Sequence, residues 1–218
     1  AIAVDSEVEV KRWSIYECLY AEVSVDGASY LLSGGSWYEV NQSFQSRIND
    51  AVAAMSTSGL TFVSYGETER EELYNRRLSA SWPGSALMDQ KNVMCGGGKS
   101  RVEFCDVLTR RRELVHVKRY SGSAVMSHLF AQGTVAASTF VSDAEFRRAL
   151  NKKLPARMRL GDTTRRPTAS RYKVCFAVAS SSAGPLTLPF FSRVTLRNAT
   201  RLLESYGFVV TLDKIEVS

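Results

Sequence analysis

Residues 172–180, YKVCFAVAS, form a near-continuous apolar run whose length suits a β-strand and falls far short of a membrane span. A strand that is apolar on both sides of its pleat must be buried on both faces, as in sheets that carry helices on each side. The chain supplies such helices, which are predicted at 66–80, 123–133, 142–151 and 191–207. We therefore predict an α/β protein with a mixed sheet flanked by helices.

Three short strand candidates lie between the first two of these helices, at 86–94, 101–108 and 113–120. A turn of three glycines, Gly96 to Gly98, joins the first pair, and a turn at 109–112 joins the second pair. A last strand is predicted at 208–217.

The N-terminal part of the chain has a different pattern. Residues 13–40 are rich in aromatic and β-branched residues and contain Asp-Gly and Gly-Gly turns, which predicts a β-meander. Asn41 is a plausible N-cap for a helix over about 43–56. The predicted units are residues 1–60, a meander plus helix that packs on the core, and residues 61–218, the α/β core with a basic excursion at 151–172.

The candidate chemistry lies in the segment RVEFCDVLTRRRELVHVKRY. Asp106 stands near the end of one strand, and His116 and Lys118 follow on the next, where a period of two puts them on the same face. A carboxylate and a second ligand can hold Mg²⁺ or Mn²⁺, while a lysine orients the attacking water in phosphodiester cleavage. Two structural alternatives stay open: a cross-strand ion pair between Asp106 and Lys118, and a buried core histidine at position 116.

Two more carboxylates are candidate metal ligands. Asp89 lies on the preceding strand, and Glu103 lies three residues before Asp106. In a regular strand Glu103 faces away from Asp106, so a bulge is needed to bring them together. Glu72, on the preceding helix, ranks below both.

Basic residues are concentrated in the second half of the chain. The net charge is +6, from 28 Lys and Arg against 22 Asp and Glu, and residues 110–173 carry the surplus. Such density suits binding to phosphate groups of DNA or RNA, although a charge run is also typical of a solvated loop. The candidate nucleic-acid-binding residues are Arg110, Arg111, Arg112, Arg119, Lys152, Lys153, Arg165 and Arg166.

Residues 67–133 contain a strand that ends near an Asp, then about ten residues, then V-x-V-K on the next strand, and then a helix. This order resembles the PD-(D/E)xK restriction-endonuclease-like superfamily. The resemblance implies a metal-dependent nuclease in which Asp106 is the metal carboxylate and Lys118 the catalytic lysine. His116 occupies the position where that superfamily has Glu or Gln.

A second resemblance covers nearly the whole chain. It rests on the stretches EFCDVL, HVKR, SHLFAQG, WSIYECLYAEVSV and LPFFSRVTLRN. These stretches are similar to a sporadically distributed bacterial family of unknown function that is linked to mobile defence loci. The resemblance implies a role in phage defence or restriction, with His128 and Gln132 as supporting residues. Members of that family are commonly longer, so the chain is expected to be a C-terminal portion.

Two further function classes remain open. One is a non-catalytic DNA- or RNA-binding module, and the other is an interaction domain of a defence complex that pairs through the aromatic strand SWYEV. Cys105 and Cys175 lie in apolar runs and are expected to be buried thiols, which fits the cytoplasm. No segment is apolar enough to predict a membrane span.

Overall fold

The computed structural model describes residues 14–95 and 100–218. The helices are α1 (Ile15–Cys18), α2 (Gln42–Ala53), α3 (Glu71–Ser81), α4 (Ser123–Ser142), α5 (Ala144–Lys153) and α6 (Phe190–Ser205). The strands are β1 (Ala21–Val25), β2 (Ala28–Ser33), β3 (Ser36–Glu39), β4 (Ala86–Leu87), β5 (Val93–Cys95), β6 (Ser100–Val102), β7 (Val107–Leu108), β8 (Glu113–Arg119), β9 (Lys173–Ser180) and β10 (Val209–Glu216).

A five-stranded mixed sheet with the strand order β10-β9-β8-β7-β4 forms the centre of the fold. The pairs β10–β9 and β9–β8 are parallel, whereas β7 is antiparallel to both β8 and β4. Strand β9 is buried from Val174 to Ser180, with α4 and α6 on one face and α3 on the other. The prediction of a mixed α/β sheet around residues 172–180 is therefore confirmed.

The N-terminal meander is also confirmed in outline. Strands β1, β2 and β3 form a separate three-stranded antiparallel sheet, and Asn41 caps α2 by accepting a hydrogen bond from the amide of Phe44. The first part of the predicted meander is wrong, because residues 15–18 form the short helix α1. Its Ser14 side chain accepts from the Glu17 amide while the Glu17 carboxylate accepts from the Ser14 amide.

The predicted helix over 123–133 does not end there but continues to Ser142. Gly133 lies inside α4, and a Cβ at this position would come within 2.5 Å of a ring carbon of Phe176 on β9. The glycine therefore permits close packing of helix on sheet and does not stop the helix. Asp143 caps α5, one residue after the start of the helix predicted at 142–151, since its carboxylate accepts from the amides of Glu145 and Phe146.

The two strands predicted at 86–94 and 101–108 are each interrupted. Leu87 pairs with Val107 and Val93 pairs with Val102, so five residues (88–92) face four (103–106). The amides of Met88 and Asp89 both donate to the carbonyl of Asp106, at 2.8 and 2.9 Å, which is the hydrogen-bond pattern of a β-bulge. The interruption separates the small β5–β6 ladder from the central sheet.

The irregular segment predicted at 151–172 spans residues 154–172, because α5 continues to Lys153. It contains two short 3₁₀ turns, at Ala156–Met158 and Ala169–Arg171, and is held to the core by the buried side chain of Arg147. The predicted glycine turn at 96–98 lies outside the described residues. Within residues 14–95 and 100–218, no helix combines the length and the apolar character needed to cross a bilayer.

Candidate metal centre

Three carboxylates converge where the strands are interrupted. Asp89 comes from the β4–β5 connection, and Glu103 and Asp106 come from the β6–β7 connection. One ligand oxygen of each lies within 4.8 Å of the others, and Asp106 is only 9% exposed. Ligands on opposite sides of a bound Mg²⁺ are ~4.2 Å apart, twice a ~2.1 Å bond, so a small side-chain movement suffices to hold an ion.

The negative charges of the cluster are only partly compensated. The Asp106 carboxylate accepts from the amide of Val117 at 2.7 Å, and Glu103 accepts from the amide of Gln90. Burial raises the pKa of Asp106 well above its usual range, and the charges of Glu103, Glu71 and Asp89 raise it further. Burial likewise raises the pKa of Glu103, with the charge of Asp89 as a further cause. A bound divalent cation would neutralise these buried, mutually repelling carboxylates in place of bound protons.

His116 lies against the cluster as a neutral ring. It is 4% exposed, burial lowers its pKa to about 4, and its buried Nε2 atom has no hydrogen-bond partner within residues 14–95 and 100–218. The ring packs beside Phe176 and under Gly133 of α4, where a Cβ would lie 3.2 Å from the imidazole Cδ2. A buried imidazole with an unpartnered nitrogen can ligate a metal or bind a water molecule. The alternative of a hydrogen-bonded core histidine is wrong for Nε2.

Lys118 forms an ion pair with Glu71 at 2.8 Å. The predicted alternative of an ion pair with Asp106 is therefore wrong, since Asp106 uses the Val117 amide instead. Both Lys118 and His116 line the same small cavity of about 60 Å³ as the three carboxylates, together with Glu71 and Gln132. The arrangement places a cation, a neutral imidazole and four acids around one enclosed space.

Glu71 is the residue that the sequence analysis missed. The candidate acid from this helix was Glu72 instead, but the Glu72 carboxylate accepts a hydrogen bond from the Gln90 side chain at 2.8 Å. The helical phase of α3 contained the signal, because position 71 shares a face with the buried positions Tyr74, Asn75 and Leu78. A glutamate on the buried stripe of a helix needs a partner, and Lys118 is that partner.

His128 and Gln132 lie on α4 beside the cluster. Both line a hollow of about 310 Å³ that also includes Arg101, and Gln132 and Glu103 border this hollow as well as the small cavity. His128 is exposed, so it lies at an open surface and not in the core. The hollow gives the acid cluster an accessible side with one cationic residue.

The predicted basic residues do not gather around the cluster. Arg110, Arg112, Arg165 and Arg166 line a separate cavity at the β7–β8 turn, the opposite end of these strands from Asp106. At about 3.3 Å per residue the two ends are on the order of 10–20 Å apart. Three of the remaining candidates are exposed outside that lining: Arg111, Lys152 and Lys153. The last, Arg119, lies over the Tyr65 ring and donates to the Glu67 carbonyl.

These features define a mixed α/β protein with a candidate divalent-metal centre at the carboxyl end of a parallel strand, where open α/β sheets commonly carry their sites. The chain belongs to a family of unknown function, DUF6119, whose model matches residues 1–216. No curated protein and no solved structure matches it. Membership of a family of unknown function is thus confirmed, whereas the defence setting and the PD-(D/E)xK core stay predictions.

Proposed function

We propose that the protein is a divalent-metal-dependent endonuclease with a restriction-endonuclease-like core, acting on DNA in bacterial phage defence or restriction. The observation that carries the proposal is the convergence of Asp89, Glu103 and Asp106 with His116 and Lys118 around one cavity of about 60 Å³. Oxygen ligands, a neutral imidazole and a lysine are the groups that metal-assisted phosphodiester hydrolysis uses.

Asp89, Glu103 and Asp106 are the residues that would hold Mg²⁺ or Mn²⁺. The ion, when bound, supplies positive charge for the scissile phosphate and acidifies a water molecule. Lys118, held in place by Glu71 at 2.8 Å, orients that water toward the phosphate. His116 presents a neutral nitrogen toward the same space and favours Mn²⁺ over Mg²⁺, since Mg²⁺ prefers oxygen.

The hollow beside the cluster is the proposed entry for the nucleic-acid strand. Arg101 provides a cationic contact for a phosphate, and the exposed His128 and the half-buried Gln132 provide polar contacts on α4. The mixture of one arginine with neutral polar groups suits backbone contact without reading of bases.

A nicking assay tests the proposal. Supercoiled plasmid and single-stranded DNA and RNA are incubated with Mg²⁺ or Mn²⁺ and the wild-type protein, Asp106→Asn, Lys118→Ala or the control Lys91→Ala. Asp106→Asn keeps an acceptor for the Val117 amide, and Lys91 is an exposed lysine near the cluster. We expect losses of at least about 100-fold for the two site variants and none for the control. Equal cleavage by all four proteins refutes the proposed site.

The second candidate function is non-catalytic binding of DNA or RNA, and the observation that favours it is the set of arginines at the β7–β8 turn. Salt-dependent binding without turnover in any metal would select it. An interaction domain of a defence complex is favoured by β3, an edge strand on which Trp37 and Tyr38 are more than half exposed. For location we propose the cytoplasm, because Cys105 and Cys175 are buried thiols that form no disulfide.

A further inference from the structure

A second cavity lies apart from the acid cluster. It measures about 800 Å³ and is enclosed by the β7–β8 turn, the 154–172 segment and the ends of α4 and α5. Seven arginines line it: two from the turn, Arg110 and Arg112, and five from the 154–172 segment. With Asp162 as the lining's one acid, its formal charge is +6, equal to the net charge of the whole chain.

None of these arginines forms an ion pair within residues 14–95 and 100–218. The Asp162 carboxylate accepts from the amide and hydroxyl of Thr164 and from the amide of Arg165, and the charge of Arg165 also acts on it. Arg157 and Arg159 donate instead to the backbone carbonyls of Ser85 and Leu154. So many guanidinium groups around one space repel each other, and an anion in the cavity would remove that repulsion.

The cations of the lining are all arginines. Lys152 and Lys153 lie at the end of α5, immediately before the 154–172 segment, yet neither contributes to the cavity. A guanidinium has a planar fork of donors that binds a phosphate through two parallel hydrogen bonds, whereas an ammonium acts as a point charge. The choice of arginine favours phosphate groups over a diffuse anionic surface.

The floor of the cavity is apolar and aromatic. It is lined by the half-buried Met158, Leu160 and Pro167 and by the rings of Phe104, Phe140 and Tyr172, which are only 1%, 1% and 8% exposed. The centroids are 5.0 Å apart for Phe104–Phe140 and for Phe140–Tyr172, and the guanidinium of Arg112 lies over the Tyr172 ring at 5.5 Å. A groove that binds the phosphate backbone of a duplex does not need an apolar floor. A ligand with both a flat ring and phosphate groups would use the floor and the arginines together, and the volume falls within the range of small-molecule sites.

We propose that this cavity binds a phosphorylated nucleoside, with the phosphates on the arginines and the base against the apolar floor. Two sources share this chemistry, a free nucleotide and the 5′-phosphorylated end of a nucleic-acid strand. The proposal does not rest on metal-dependent cleavage, since Arg110 and Arg112 of the lining lie at the other end of β7 and β8 from Asp106 and none of the lining residues belongs to the acid cluster.

Isothermal titration calorimetry tests the proposal. The ligands are ATP, AMP, adenosine, inorganic tripolyphosphate and short oligonucleotides with a 5′-phosphate or a 5′-hydroxyl. We expect saturable binding of ATP that exceeds the binding of adenosine and of tripolyphosphate. The variant Arg165→Gln/Arg166→Gln weakens ATP binding by at least about tenfold, because each charge-assisted contact contributes that much. The control Arg47→Gln/Arg76→Gln removes the same charge at exposed positions of α2 and α3 outside the cavity and leaves binding unchanged, and thermal melting verifies that both variants fold.

The oligonucleotides identify the source of the nucleoside. Preference for the 5′-phosphorylated strand over ATP assigns the cavity to a strand end, and the reverse assigns it to a free nucleotide. The proposal is overturned by any of three results: no saturable binding of either source, equal weakening by both double variants, or equal affinity for 5′-phosphate and 5′-hydroxyl strands without nucleotide binding. None of these results bears on cleavage by the acid cluster, which is measured with Asp106→Asn.

Discussion

Replacing Asp106 by asparagine is expected to stabilise the metal-free protein at neutral and alkaline pH. The Asp106 carboxylate is buried beside Glu103 and Asp89, with ligand oxygens within 4.8 Å of one another. Two charges at that distance repel by about 3.5 kcal/mol at an effective dielectric constant of ~20. Because partial protonation already relieves some of this energy, we expect the variant to gain roughly 1–3 kcal/mol in free energy of unfolding.

The pH dependence gives the sign of the effect. Burial raises the pKa of Asp106 in the folded state, so the unfolded chain releases this proton first as the pH increases. The stability of the wild-type protein therefore falls with increasing pH, from the ordinary carboxyl pKa up to the raised folded-state pKa. Asp106→Asn lacks this titration, and its advantage is expected to vanish at a pH below the ordinary carboxyl pKa.

Metal reverses the order of stability. Divalent cation that binds the folded state adds about 4.1 kcal/mol at a concentration of 1,000 times its Kd, which exceeds the gain expected for the variant, and Asp106→Asn loses this stabilisation. Urea unfolding from pH 3 to pH 9, with EDTA or with Mn²⁺, measures both effects, and Asp50→Asn is the control because Asp50 is exposed on α2. A variant less stable than the wild type at pH 8 in EDTA, or a wild type insensitive to Mn²⁺, would refute the reasoning.

Three further predictions concern packing and ligand choice. Gly133→Ala is expected to lower the free energy of unfolding by about 1–3 kcal/mol, since the new Cβ meets the Phe176 ring at 2.5 Å, and an unchanged melting temperature would contradict this. His116→Gln replaces the buried nitrogen ligand by an amide oxygen ligand and is expected to shift the binding preference from Mn²⁺ toward Mg²⁺ in calorimetric titrations. The expectation fails if the order of the two affinities stays as in the wild type. Arg147→Met removes the side chain that donates to four backbone carbonyls, and it is expected to make the 154–172 segment sensitive to limited proteolysis. The control Arg148→Met, on the exposed face of α5, is expected to stay resistant. Equal resistance of both variants would contradict the role assigned to Arg147.

Local signals in the sequence predicted much of the fold. The apolar run at 172–180, the turns of the meander and the cap at Asn41 each act within a few residues, and each appears in the structure near the predicted place. The role of Gly133 inside α4 could not be predicted, because it depends on Phe176, which lies 43 positions further along the chain. A glycine that serves close packing looks the same in sequence as one that ends a helix.

The candidate site was predictable in part for the same reason. The spacing of Asp106, His116 and Lys118 identified the strand pair, and the need for a bulge near Glu103 could be stated in advance. The ion pair of Lys118 with Glu71 could not, because the packing of α3 against β8 is a long-range property. Arginine density likewise indicated an anion site but not that its members enclose a cavity at the opposite end of the strands.

The one-residue excess of segment 88–92 over segment 103–106 has a consequence for how the site is encoded. In an unbroken ladder, Glu103 and Asp106 would alternate to opposite faces of the sheet, and the cluster would disperse with every acidic side chain retained. The count of residues between Leu87 and Val93 therefore carries as much information as the identities of the acids. A homologous chain that keeps all three carboxylates but lacks one residue in this segment would have an uninterrupted hairpin and no metal centre.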